Sequence, residues 1–302
     1  MRKFAVASLV RLMAALSGFC LMATVVASHA QNLPASPFAA TRSALGTISD
    51  DELLARAGKL YYSATRAGLD SFVCEVHPDW HAMFVSANKS QTIGEDDPSI
   101  VLLKTVKVIL HGRLKGGSTV DWTPAAKPAA PIAADSARML ENMRGGTNQT
   151  LQGFMQFWAP FVDGSTIPGN AQGLQITRTE DGHRIHADLS GTSLTESLDG
   201  SLILRRFDVV AGGMTAHFAP SFKPTDKGLL VDAFHAQIEP PGVQPGQAQV
   251  MNVEIEYQTV SSFPIPARIN MEVVNVGNFN FVLDGCSVNQ PENPKAKTAA
   301  PG

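Results

Sequence analysis

From Gly173 to Val288 the chain alternates apolar and polar residues in short segments separated by turn residues. In one segment Met251, Val253 and Ile255 are spaced by Asn252 and Glu254. A period of two predicts strands of an antiparallel sheet with one dry and one wet face. The strands are expected at 174–180, 183–189, 193–198, 201–209, 214–219, 228–238, 250–260, 263–274 and 278–288.

Helical patterns precede this region. Ser49 and Glu52 form a capping box at the start of a helix predicted at 50–67. A second helical region is predicted at 135–158, with an interruption at Gly145-Gly146. Between the two, the sequence predicts a strand from Leu69 to Pro78, a short helix at 79–84, a polar stretch at 88–99 and a hairpin at 106–122.

These elements predict an α+β fold with a long antiparallel sheet, whose dry face must be covered by other parts of the chain. We expect a strongly curved sheet, an open half-barrel, covered by the N-terminal and the central helix, although a meander of this kind can also close or pair with a second sheet. The apolar face then offers candidate ligand-binding residues, although these side chains can equally fill a core: Phe234, Ile255, Tyr257, Ile269 and Phe281.

The amino terminus has the pattern of a secretory signal peptide. Arg2, Lys3 and Arg11 precede an uncharged, mostly apolar run at 12–27, and Ser28-His29-Ala30 suits cleavage before Gln31. We therefore expect a periplasmic or secreted protein with no transmembrane span after cleavage. Its expected parts are the signal peptide at 1–30, a disordered spacer at 31–48, one β-rich domain at 49–288 with a Pro/Ala linker at 123–134, and a disordered tail at 289–302.

Cleavage changes the charge and the cysteine count. Of 24 basic residues three lie in the leader, which leaves 21 against 27 acidic ones and a net charge of −6. An acidic chain lacks the basic face that nucleic-acid binding needs. Cys20 is removed as well, so Cys74 and Cys286 remain. In an oxidising compartment they either form a disulfide or stay as two buried thiols, and the sequence leaves both open.

Residue patterns for catalysis or metal binding are weak. His77 and His81 are four residues apart, but Pro78 lies between them and no third ligand is evident. The glycines of 112–119 are spaced as in a phosphate-binding loop, but Ser118 occupies the position of the essential lysine. We therefore expect a monomer with no enzymatic activity, cofactor or metal.

The carboxy-terminal pattern carries a resemblance. The order of helix and antiparallel strands, with residues 255–260 (IEYQTV) followed by 263–269 (FPIPARI), resembles the LolA/LolB-type periplasmic lipoprotein carriers, and Pro78-Asp79-Trp80 resembles the opening of other exported bacterial proteins. The resemblance implies a half-barrel with a helical lid that holds acyl chains. The expected function is an exported, non-catalytic protein that binds a lipid or lipoprotein acyl chain. The alternative is a structural or interaction protein of the bacterial cell envelope with a filled core and no ligand.

Overall fold

The computed structural model describes residues 48–87, 94–115, 117–124, 134–163, 166–189, 191–242 and 248–290. The predicted signal peptide lies outside these residues, as do nearly all of the predicted spacer and most of the Pro/Ala linker and the tail.

The described chain contains helices and strands in the order expected for an α+β fold. The helices are α1 (Asp50–Lys59), α2 (Ala64–Ala67), α3 (Trp80–Ala87), α4 (Pro98–Lys104) and α5 (Ala134–Val162). The strands are β1 (Ser71–Pro78), β2 (Val106–Arg113), β3 (Thr119–Pro124), β4 (Gln175–Thr179), β5 (Gly182–Leu189), β6 (Thr192–Asp199), β7 (Leu204–Ala211), β8 (Met214–Thr225), β9 (Gly228–Glu239), β10 (Gln249–Val260), β11 (Phe263–Val273) and β12 (Gly277–Val288).

All twelve strands belong to one antiparallel sheet. Their order is β3-β2-β1-β12-β11-β10-β9-β8-β7-β6-β5-β4, and the sheet is curved and unclosed. Neighbouring strands are mostly consecutive in the chain, and the exception is β1, which pairs with β12. The predicted open half-barrel is confirmed.

The alternation of side chains gives the sheet an inner, apolar face and an outer, polar face. Ile255, Ile269 and Phe281 lie opposite one another in register on the inner face of β10, β11 and β12. Gly112 of β2 is required there, because a Cβ at this position would lie 2.3 Å from the ring of Phe72 in β1. The core therefore lies between the inner face and the helices.

The predicted single helix at 50–67 is wrong in its length, because α1 ends at Lys59 and α2 begins at Ala64. The intervening segment pairs with β9 instead: the Tyr62 amide donates to the Leu229 carbonyl at 2.9 Å, and the Leu229 amide donates to the Leu60 carbonyl at 2.7 Å. Gly228 permits this approach, since it has a φ of +118° and a Cβ there would lie 2.9 Å from the Leu60 oxygen. The predicted capping box is present in part, with the Ser49 hydroxyl accepting from the Glu52 amide at 3.3 Å.

The central helix is longer and more continuous than predicted. Helix α5 runs through Gly145-Gly146 without interruption and continues to Val162. Leu151, Phe154 and Trp158 are at most 1% exposed. Packing of this apolar face stabilises the helix by more than the roughly 1 kcal/mol that each glycine costs.

Helix α4 falls at the end of the predicted polar stretch and was not expected. The Asp97 carboxylate accepts from the Ser99 amide at 2.8 Å, and Pro98 occupies the first turn. Ile100 and Leu103 are fully buried. This short helix packs beside α3 and α5.

A disulfide joins Cys74 of β1 to Cys286 of β12, and this settles the two possibilities left by the sequence. The bond lies where the register of these two strands shifts between Val73 and Glu75. It connects residues 212 positions apart in the chain. Among the described strands, the disulfide thus fixes the only pairing that holds β1, β2 and β3 to the rest of the sheet.

Candidate functional site

The five residues predicted to line a ligand face come together on the inner face of β9 to β12. Phe234 and Ile255 are 3% and 4% exposed, and Ile269 and Phe281 are fully buried. Tyr257 is half-buried. The structure thus confirms their common face, while ligand binding by them stays a prediction.

Helix α5 covers this face with aromatic side chains. Phe157 lies between Phe218 and Phe234, at ring-centroid distances of 4.9 and 5.7 Å. Phe161 approaches Phe222 of β8, and Trp158 packs edge-on against Phe72 of β1 at 5.8 Å. The aromatic cover therefore reaches both sides of the predicted ligand face.

A hydrogen-bonded chain ties the carboxy-terminal part of α5 to the sheet. The Trp158 indole N–H donates to the Tyr257 hydroxyl at 2.9 Å, and this hydroxyl donates to the Val231 carbonyl at 2.6 Å. Burial raises the pKa of Tyr257, and the hydrogen bond from Trp158 opposes that shift. The ring of Tyr257 also faces Lys223, whose Nζ lies 4.6 Å from its centroid.

Two further polar contacts hold α5 along its length. The Trp122 indole N–H of β3 donates to the Asn148 side-chain oxygen at 2.6 Å. Beyond the carboxyl end of the helix, the Thr65 hydroxyl donates to the Asp163 carboxylate, and burial raises the pKa of Asp163. Most of the contact between α5 and the sheet is nevertheless apolar.

The N-terminal helix α1 and the residues that follow it lie on the half of the inner face that β4 to β8 form. Leu53, Leu54 and Ala57 of α1 are buried in the same core. The Tyr61 hydroxyl accepts from the Leu204 amide of β7 at 2.6 Å. Burial raises the pKa of Tyr61 to about 12, although the bond from Leu204 acts against it.

Glu196 is an unexpected carboxyl group on this inner face. It lies in register between Ile185 of β5 and Phe207 of β7, and it is 1% exposed. Neither carboxyl oxygen has a hydrogen-bond partner among the described residues. Burial raises its pKa to about 8, so the group is mostly neutral at pH 7. The sequence carries a signal for this placement, because Glu196 alternates in phase with Leu194 and Leu198.

Other inner polar atoms share this isolation. The Tyr62 hydroxyl, Gln156 Oε1, His183 Nδ1 and Asp232 Oδ1 are buried with no hydrogen-bond partner in the described part of the chain. Burial lowers the pKa of His183, which favours its neutral form. These groups weaken the core, since each buried polar atom without a partner costs about 1–3 kcal/mol.

The two histidines considered as metal ligands contact different acidic residues. His77 Nε2 lies 3.0 Å from Asp284 of β12, whereas His81 Nδ1 lies 3.5 Å from Glu95. Within the described ranges, no group of three or more His, Cys, Asp or Glu residues is arranged to hold a metal ion.

No family model, curated protein or solved structure matches the chain. The relationship to the LolA/LolB-type carriers therefore stays a prediction. None of the helices in the described ranges has both the length and the apolar character required to cross a membrane.

Proposed function

We propose that this is an exported, non-catalytic binding protein that shelters an acyl chain or another apolar ligand between α5 and the inner face of the sheet. The observation that carries the proposal is that helical side chains cover that face. In the part of the chain that the structure describes, the unclosed apolar sheet is covered by helical side chains, chiefly Phe157, Trp158 and Phe161, and not by a second sheet. Apolar contacts are non-directional, so a hydrocarbon chain can replace them.

The magnitudes permit such an exchange. Removing three large apolar side chains from the core costs roughly 1.5–3 kcal/mol each. A saturated chain of about 16 carbons returns roughly 0.8 kcal/mol for each buried CH₂ group, which exceeds that cost. In the carboxy-terminal part of α5, the hydrogen bond from Trp158 to Tyr257 is a polar contact that the helix would have to give up.

Export is supported by the disulfide between Cys74 and Cys286, because such bonds persist in oxidising compartments. The leader-like sequence at 1–30 agrees with this. Both points support the proposal that the ligand is met outside the cytoplasm.

Quenching of Trp158 tests the proposal. Bromine quenches indole fluorescence at contact, so dibromostearate is a suitable probe. In the double variant W80F/W122F, Trp158 is the only tryptophan left of the three in the chain. We expect saturable quenching at one probe per protein below the micelle concentration. The control W158F keeps Trp80 and Trp122, whose ring centroids lie 5.9 Å apart, and should be quenched far less.

Absence of quenching in W80F/W122F, together with no lipid mass in native mass spectrometry of protein prepared from the cell envelope, would refute the proposal. Equal quenching in W158F would place the probe elsewhere on the protein. Circular dichroism of each variant verifies that the fold is retained.

The second candidate is a structural or interaction protein of the cell envelope. The observation that favours it is the dense packing of the inner face, where Phe234 and Ile255 are almost fully covered by protein. The same probe decides between the two, because a filled core leaves Trp158 unquenched at every probe concentration.

A further inference from the structure

The outer face of β4 to β7 carries a groove that lies on the opposite side of the sheet from α1 and α5. The groove has a volume of about 670 Å³, within the range of small-ligand sites. We call it the outer groove. Its lining residues are Gln175, Thr177, Arg184, His186, Thr195, Ser197, Arg206 and Asp208.

These residues form two rows that run across the four strands. Gln175, His186, Thr195 and Asp208 lie opposite one another in register, and Thr177, Arg184, Ser197 and Arg206 form the adjacent row. Adjacent strands are about 4.8 Å apart, so each row extends over roughly 14 Å. A row of this length suits an extended ligand with several polar groups better than a single small ion.

Arg206 is held in position by its neighbours. Its Nε lies 2.7 and 2.9 Å from the two carboxylate oxygens of Asp208. His217 Nδ1 of β8 lies 2.7 Å from Asp208 and 2.9 Å from Arg206 Nη2. One ring nitrogen cannot donate to Asp208 and accept from Arg206 at once. When it donates to Asp208, the Nη2 hydrogens of Arg206 are available to a ligand.

Arg184 differs from Arg206 because its charge is not compensated. It is exposed, and among the described residues it has no hydrogen-bond or ion-pair partner. The hydroxyl groups of Thr177 and Ser197 on either side of it also have no side-chain partner there. Among the lining residues Asp208 balances Arg206, so Arg184 carries the one uncompensated charge, beside the two free hydroxyls.

The first row supplies further positioned polar groups. His186 Nδ1 lies 3.0 Å from the Thr195 hydroxyl, and its Nε2 lies 3.3 Å from Asp188. These contacts fix the plane of the imidazole ring. The groove therefore combines one unpaired guanidinium with amide, hydroxyl and imidazole groups.

We propose that the outer groove binds an acidic oligosaccharide, whose carboxylate or sulfate group pairs with Arg184 and whose ring hydroxyls contact Thr177, Ser197 and Gln175. A guanidinium recognises a carboxylate or sulfate through paired N–H donors. A sugar ring offers the hydroxyls that match the neighbouring polar side chains. This site is distinct from the proposed apolar site, because it lies on the other face of the sheet.

Calorimetric titration of the full protein at low ionic strength tests this site with three probes: trigalacturonate, maltotriose and inorganic phosphate. We expect measurable binding of trigalacturonate and at least tenfold weaker binding of the other two. Equal binding of maltotriose would overturn the role of charge. Equal binding of phosphate would overturn the assignment to a saccharide.

A matched pair of variants locates the site. We expect R184A to weaken trigalacturonate binding at least tenfold. R205A removes the same charge from an arginine that pairs with Asp199 outside the groove, and should change binding less than twofold. R184K keeps the charge and loses the paired donors, so we expect an intermediate affinity. Equal losses in R184A and R205A, or no loss in R184A, would overturn the proposal.

Discussion

The indole N–H of Trp158 and the hydroxyl oxygen of Tyr257 form a hydrogen bond of 2.9 Å that joins the carboxy-terminal part of α5 to β10. The same hydroxyl donates to the Val231 carbonyl in β9. One phenol group therefore satisfies two buried hydrogen-bonding groups. Its contribution to the stability of the fold can be measured by removing the hydroxyl alone.

We expect Tyr257→Phe to lower the free energy of unfolding by about 1–3 kcal/mol, because the Trp158 N–H and the Val231 carbonyl would stay buried without a partner. Urea unfolding followed by tryptophan fluorescence measures this loss. Tyr62→Phe is the matched control, since the buried Tyr62 hydroxyl has no partner in the described chain. The control should leave stability unchanged or slightly higher, and equal losses in both variants would contradict the argument.

Glu196 predicts a pH dependence of stability. The unfolded chain releases the Glu196 proton near pH 4.5, whereas the folded protein retains it up to about pH 8. Between these values the folded state binds one more proton. The free energy of unfolding should therefore fall as the pH rises, by roughly 1 kcal/mol per pH unit from this group, and level off above pH 8.

Glu196→Gln removes this contribution, because an amide stays neutral at every pH. We expect the variant to be close to the wild type near pH 4 and more stable than it at pH 8. Urea titrations at several pH values give the difference, in which the contributions of other titrating groups cancel. A difference that is constant with pH would show that the Glu196 carboxyl is already ionised in the folded protein.

The disulfide predicts a large loss of stability on reduction. In the chain-entropy account, closing a loop of this length contributes about 5 kcal/mol. We expect the double variant C74A/C286A to unfold at a markedly lower urea concentration than the oxidised protein. Reductant should bring the wild type close to the variant. Peptide mapping after iodoacetamide treatment in denaturant should show both cysteines unlabelled until reductant is added.

Two glycines predict opposite effects of alanine. A Cβ at Gly145 in α5 would meet no atom within 4 Å, so Gly145→Ala should stabilise the protein by about 1 kcal/mol through helix propensity. A Cβ at Gly112 would overlap the Phe72 ring, so Gly112→Ala should destabilise it by about 1–3 kcal/mol. Thermal unfolding of the two variants compares them, and destabilisation by Gly145→Ala would contradict a continuous α5.

The strands were the most predictable part of the fold because their signal is local. Along residues 251–255 of β10, 269–273 of β11 and 279–283 of β12, every second residue faces the core, so the period of two is visible in the sequence. Strand β8 was predicted to end at 219 and continues to Thr225. Its extra residues include Pro220 and Pro224, but past Phe218 the strand has no partner in β7, so the missing amide donors cost nothing on that side.

What the sequence could not show depends on distant partners. The break between α1 and α2 arises because residues 60–62 pair with Leu229, far away in the chain. The lack of a hydrogen-bond partner for Glu196 depends on the residues of other elements that cover β6 in the folded protein. The outer groove was not predicted, because its two rows are formed by four strands whose side chains come into register only when the sheet is folded.

The position of β12 determines when the fold can be completed. Strands β1, β2 and β3 join the sheet only through β12, which is the last strand of the described chain. A ribosome must therefore release the final strand before the first three can dock. Long-range pairing of this kind slows folding. Until β12 has emerged, β1, β2 and β3 stay undocked, and an undocked segment is the kind of chain that can be threaded through a translocation pore.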